Sequence, residues 1–187
     1  MAFNISEIKS TLNRYGGPAR TSHFDVTITN PRSLSTAGNG MSTRDLVFFA
    51  EAAEVPGVSL QTSEIRHGGY GFPDKRPYRT GFVDVNIRFV EDAEAKSLTF
   101  FQKWVDSIAK FSDRGSSAKD TYLYPDEYQT TLNIKQYDTS GQIILDCKIF
   151  EAYPMTIVPI SLDWASQNEI AKFTVSFAYG SWTTNKI

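Results

Sequence analysis

Cysteine is nearly missing from this chain. The one copy, Cys147, excludes an internal disulfide and a cysteine-based zinc site. It lies in an alternating apolar pattern, which reads as a buried, inert thiol. Histidine is almost as scarce: neither His23 nor His67 has a second ligand-type residue at metal spacing. Positive charge is not in excess. With 19 Lys and Arg against 21 Asp and Glu, the net charge is −2, so the basic footprint of a nucleic-acid binder is absent. No stretch approaches the ~20 apolar residues of a membrane span. The opening MAFNISEIKSTLNRYGG lacks the basic region and apolar run of a secretory signal. These absences predict a soluble product of a reducing compartment with no membrane partner.

Catalytic signatures are missing too. Gly68-Gly69-Tyr70-Gly71 is not a dinucleotide fingerprint and has no strand-turn-helix context. There is no Gly-x-Ser-x-Gly elbow, and pairing Cys147 with a histidine would require an exposed thiol. The carboxylates of Glu91-Asp92-Ala93-Glu94 sit where a helix begins, and Glu51 and Glu54 read as a solvated face. The expectation is a protein that is not an enzyme, with no cofactor and no metal.

Aromatic residues, by contrast, are plentiful. The 187 residues include 13 Phe, 9 Tyr and 3 Trp, a share that favours β structure and large contact surfaces. The length suits one domain, residues 1–187, able to bury a core without staples. Period-two alternation predicts strands over His23–Thr29, Phe82–Val90 and the run ending at Tyr179. In the second, Val83, Val85, Ile87 and Phe89 face one way; in the third, Ala171, Phe173, Val175, Phe177 and Tyr179 do. A hairpin is expected around Asp138-Thr139-Ser140-Gly141. Its first strand alternates Leu132 and Ile134, its second Ile143, Leu145, Cys147 and Ile149. The second also carries Ile144, Asp146, Lys148 and Phe150 on its other row, as a strand covered on both sides or an interface would.

Helical spacing appears twice. Ile5, Ile8 and Leu12 make a short amphipathic segment that Gly16-Gly17-Pro18 stops. Residues 93–111 form a flanking helix with an apolar stripe of Leu98, Phe101, Trp104, Val105, Ile108 and Phe111. Asp92 is its expected N-cap, and Lys110 suits its negative end. Ser112–Asp120 reads as a mobile polar loop. Residues 31–81 read as a long extended arm, rich in Gly, Pro and aromatics, that orders against a partner. Its Tyr70, Phe72, Arg76 and Tyr78 are inter-subunit candidates, because Tyr and Arg anchor interfaces at low entropic cost. Trp182 reads either as core or as a fifth anchor. The fold class is mainly β (α+β): an antiparallel β-sandwich or barrel with one flanking α-helix and a long extended arm.

The stretch YPMTIVPISLDWASQNEIAKFTVSFAYGSW, Tyr153 to Trp182, resembles the closing hairpin of the tail tube proteins of contractile bacteriophages. There, too, a strand, a Leu-Asp-Trp step, a short polar turn and a last aromatic strand recur in order. GGPARTSHFDVTI is similar to the family's Gly-Gly-Arg opening and Phe-x-Val-x-Ile strand. The resemblance runs on in order through the arm, the Phe82–Val90 strand, the helix with Trp104 and the Leu132–Phe150 hairpin. It implies a structural virion protein: subunits form hexameric rings around a channel, and stacked rings make the tube through which DNA passes.

That resemblance further implies tail sheath, baseplate and terminator proteins as partners, and assembly in the host cytoplasm into the virion tail. A channel that passes DNA should not hold it, since wall cations release counterions and bind the duplex. The expected lining is therefore polar or acidic, with Asp84 and Asn86 or Thr131 and Asn133 as candidates. Two alternatives stand beside the tube subunit. One is a baseplate tube-initiator of the same fold; the other is a monomeric β-barrel ligand-binding protein or enzyme.

Overall fold

Strands predominate, as the period-two rows require. The structure is a computed structural model that describes residues 4–14, 16–34, 41–66, 71–110, 122–165 and 169–185. The chain begins with α1 (Ile5–Arg14), β1 (Phe24–Ile28), α2 (Thr43–Leu46) running into a 3-10 turn, and β2 (Ala50–Ala53). Next come β3 (Val58–Ile65), β4 (Asp74–Phe82), β5 (Val85–Val90) and α3 (Lys96–Ala109). It closes with α4 (Pro125–Tyr128), β6 (Thr130–Tyr137), β7 (Ile143–Ile157), β8 (Lys172–Ala178) and β9 (Ser181–Asn185).

The main strands pair antiparallel in the order β1-β6-β7-β8-β5-β2, with β9 also on β7. β7 is long enough to serve two sheets. Its first half pairs with β6 and β9, its second half with β8. The changeover falls at Glu151, whose φ of 57° lies in the left-handed region, and the registers with β6 and β8 both slip nearby. Such bulges bend a strand and re-aim its side chains. Gly180, between β8 and β9, lies across the bend and donates to Phe150 O at 3.2 Å. A Cβ on Gly180 would run into the Glu151 carboxylate. Two sheets result, β1-β6-β7-β9 and β7-β8-β5-β2, joined at a corner as in packed sandwiches.

Between them lies one core. Val26, Ile28, Leu132, Ile134, Cys147 and Ile149 enter it from the first sheet; Val85, Ile87, Phe89, Phe173, Val175 and Phe177 enter from the second. α3 adds Phe100, Phe101 and Trp104, all buried. Phe101 lies 4.8 Å from Phe89 and 5.8 Å from Phe173 between ring centroids. Tilted and edge-on pairs like these add about 0.5–1.5 kcal/mol each beyond burial. Trp104 keeps its indole satisfied by donating to Tyr128 O at 2.9 Å.

Several local expectations shift. α3 starts later than residue 93, with Ala95 at φ 52° as its N-cap. Asp92 still caps it from outside, accepting from Ser97 N at 2.9 Å and Ser97 Oγ at 3.1 Å. The strand expected at Phe82–Val90 divides: Phe82 ends β4, Val83 and Asp84 are exposed, and only Val85, Ile87 and Phe89 face the core. The 31–81 segment also divides. Leu34 and Leu46 are buried, and β2 pairs with β5 in the body, so among the described residues of this segment β3–β4 is the element that stands apart. Phe111, Ser112–Asp120 and residues 35–40 lie outside the described residues.

Phe101→Ala removes the ring that links α3 to both core phenylalanines. It should cost about 3–5 kcal/mol, a large share of a typical domain's stability, read as a lowered urea midpoint. Tyr137 gives a pH-dependent prediction. Its hydroxyl donates to Asp25 Oδ2 at 2.6 Å, and that bond, with burial and the Asp25 charge, pushes its pKa up to about 12. The raised value favours the folded state fully below the unfolded tyrosine pKa. That contribution is lost as pH rises toward 12. The melting-temperature gap between the natural chain and Tyr137→Phe should therefore shrink from pH 9.5 to 12, and a constant gap would contradict the assignment.

Candidate assembly interface

The β3–β4 hairpin is a part of the molecule that the rest of the described residues leave largely uncovered. Every residue of β3 is exposed, as is every residue of β4 except Gly81. Isolated two-stranded ribbons are marginal in water, so the side chains holding this one are informative. At its base Tyr179 Oη donates to Val83 O at 2.8 Å and the Tyr179 ring lies 5.7 Å from Phe82. Ser59 Oγ donates to Gly81 O at 3.2 Å, and a Cβ on Gly81 would lie only 2.9 Å from that hydroxyl oxygen. Farther out, Tyr78 Oη donates to Gln61 Oε1 at 3.1 Å beside the bulge at Gln61/Thr62. Arg76 meets Asp74 at 3.0 Å and Lys75 meets Glu64 at 3.9 Å, both in solvent. Exposed pairs of this kind contribute little.

One face of the hairpin is apolar near the base. Val58 pairs with Phe82, and Leu60 follows two residues later on the same side; all three are exposed. The eight residues of β3 reach about 26 Å from the body. A long exposed ribbon with an apolar strip is an interaction template.

Phe72 lies fully exposed between the two strands, and Arg76 and Tyr78 lie on β4. Tyr70 and His67 fall outside the described residues. Trp182 is apart from this group: on β9, in register with Ile149, it packs half-buried against the core. The channel candidates separate as well. Asn86, on β5, donates to Glu54 Oε2 at 2.8 Å and accepts from Ser176 Oγ at 2.6 Å, all on the outer face of the second sheet. Asp84 is exposed just before that strand. Thr131 and Asn133 lie on β6, on the outer face of the first sheet, where Asn133 sits in register between Thr27 and Lys148. Asn86 and Asn133 thus belong to different sheets.

The Leu-Asp-Trp step falls in a further group of exposed apolar residues, an exposure not anticipated from sequence. Leu162, Trp164 and Ile170, in the connection from β7 to β8, are strongly exposed. Apolar residues inside a polar turn with no strand period are the signal that could have found them.

Chemistry has little foothold. Among the described residues no cluster of three His, Cys, Asp or Glu could hold a metal, and no helix is long and apolar enough to cross a membrane. Cys147 is buried, and burial pushes its thiol pKa up against the pull of Thr184, with Asp146 adding to the rise. A protonated buried thiol is a poor nucleophile.

No curated protein sequence matches. Among solved structures, a chain of the sheath–tube complex of an extracellular contractile injection system in its extended state is 15% identical with a TM-score of 0.62, over 100% of each chain. A chain of the anti-feeding prophage baseplate is 12% identical with a TM-score of 0.62, over 91% of this chain and 97% of that one. A chain of that particle's tube-terminating cap is 15% identical with a TM-score of 0.59, over 91% and 92%. At such identities the likeness is one of fold. The family described as "Phage tail tube protein" matches residues 19–185, nearly the whole two-sheet body with its hairpin, and the chain belongs to that family of structural, non-enzymatic proteins.

Proposed function

We propose that this chain is the repeating subunit of a contractile-type tail tube. Six copies close into a ring, rings stack into a hollow tube, and the channel passes DNA without binding it. One observation carries the reading: among the described residues the β3–β4 ribbon is exposed along nearly its whole length, with only its base held against the body. Its apolar strip of Val58, Leu60 and Phe82, with Phe72 beyond, suits burial against a neighbouring copy. The edge strands β1, β2 and β9 leave further backbone groups for a neighbour to pair, which ring closure provides. Phe72, Arg76 and Tyr78 are the inter-subunit anchors of this reading.

The other partners follow by analogy. Chains of the same fold occur in a sheath–tube complex, a baseplate and a terminating cap. The proposed partners here are accordingly sheath, baseplate and terminator proteins, in a particle assembled in the host cytoplasm. A net charge of −2 suits a channel wall that must not hold phosphates.

Electron microscopy of concentrated protein tests the proposal. Hollow filaments of uniform width are expected. Single rings would favour the baseplate initiator, and a monodisperse 21.0 kDa species at all concentrations would defeat both. Leu60→Asp places a charge on an exposed strip with no role in the core, so the monomer's melting temperature should hold while filaments are lost. Trypsin should cut after Lys75 and Arg79 in the free subunit and leave the filament intact at those sites; equal cleavage in both states would argue against burial of the ribbon.

A further inference from the structure

Among the described residues, two further apolar surfaces match each other in character. The first is α1. Ile5, Ile8 and Leu12 form one stripe at helical spacing, Lys9 falls beside it, and Glu7 and Arg14 fall on the far side. None of its ten residues is buried. A helix this short is marginal in water unless its apolar face packs on something. The second is a groove of about 510 Å³ between α3 and the segment after β7, lined by Leu98, Ile157, Val158, Ile160, Leu162 and Ala171. Grooves of this kind receive amphipathic helices through residues spaced as Ile5, Ile8 and Leu12 are.

The groove wall and rim are acidic. Glu91 lines it with Oε2 buried and without a hydrogen-bond partner, while Oε1 accepts from Ser97 Oγ at 3.2 Å. Burial raises the Glu91 pKa against the pull of the Leu98 amide and the Ser97 hydroxyl, with Asp92 adding to the rise. Asp163 and Glu169 stand next to Leu162 on the adjoining surface, where the nearby Lys172 is paired with Glu51. A cation flanking an apolar helix stripe, as Lys9 does, complements such a site.

Chain connectivity anchors the tether of the helix near one end of β7 and the groove near the other. The segment joining α1 to β1 is tied to the end of β6: Gln136 Nε2 donates to Arg20 O at 2.9 Å and Tyr137 N to His23 O at 2.8 Å. That is where β7 begins. The groove lies where β7 ends, at Ile157 and beyond. The fifteen residues between correspond to about 45 Å of strand contour, bent at Glu151. In copies set end to end, the helix of one meets the groove of the next.

We propose that α1 of one subunit docks through Ile5, Ile8 and Leu12 into the groove between α3 and the β7–β8 connection of the adjacent subunit, with Lys9 against the acidic wall. The occupant is a second copy of this chain, and the inference rests on the tube reading. The giving and receiving surfaces differ, so the contact is heterologous and propagates as an array rather than closing a pair.

Two variants, each with one introduced cysteine, test it, since the native Cys147 is fully buried and takes no part. Ile8→Cys and Leu162→Cys are purified separately, mixed, assembled and oxidised. A mixed disulfide between the two variants in the filament fraction is expected on a non-reducing gel, and its loss on adding Leu12→Asp to the first variant. Leu12→Asp alone should weaken assembly about tenfold or more with an unchanged monomer melt, because α1 buries nothing in its own subunit. Filaments that form without the mixed disulfide would overturn the contact and leave the tube reading standing. An internal disulfide in the dilute double variant would show that the groove takes its own helix, and would overturn it equally. Failure of the unmodified chain to form filaments would remove the tube reading and this contact with it.

Discussion

β7 serves both sheets because Glu151 takes a left-handed backbone conformation and Gly180 leaves room beside it. A straight fifteen-residue strand would extend a single sheet past its neighbours and expose its apolar row. Bending it instead turns the second half into the second sheet, so that Cys147 and Ile149 share one core with Phe173, Val175 and Phe177. The left-handed residue costs of order 1–3 kcal/mol, which the buried aromatic cluster more than offsets. α3 depends on the same bend. Its Phe101 and Trp104 rings fill the opening between the sheets, and Trp104 ties down the segment that leads into β6.

With the core closed in this way, the remaining apolar surface has a pattern. Val58, Leu60 and Phe72 on the ribbon, Ile5, Ile8 and Leu12 on α1, and Leu162, Trp164 and Ile170 beside the groove are all exposed. Single exposed apolar residues are ordinary, but grouped ones mark contact surfaces. Here the groups lie on projecting elements or at the ends of strands, where neighbours in an array would meet. Surface of that kind is a liability in a monomer and the basis of assembly in a tail tube protein.

The two outer sheet faces differ in how their polar groups are satisfied. On the β5–β8 face, Glu54, Asn86 and Ser176 form a closed hydrogen-bonded row. On the β1–β6–β7 face, Lys135 sits in register between Asp25 and Asp146, while Asp25 Oδ1, Asn133 Oδ1 and Asp146 Oδ1 are buried without partners. Buried polar atoms are normally paired, so this second face is the less complete of the two in the isolated subunit.

Local pattern determined a good deal. The period-two rows of β1, β6 and β8 and the stripe on α3 were legible because side-chain direction along one element is set by that element's own geometry. Cys147 was readable as an inert core residue for the same reason. Pairing between distant segments decided the rest. Val83 and Ala171 continue the alternation of Val85 and Phe173, yet both are exposed because the rows outrun the neighbouring sheet. Trp182 could be core or anchor until β9 aligned it with Ile149. Asn86 and Asn133 look alike in sequence and lie on opposite faces, since only the bend in β7 assigns their strands to different sheets. A sequence states which residues share a side; which side meets the core, a partner or a channel is fixed by long-range pairing.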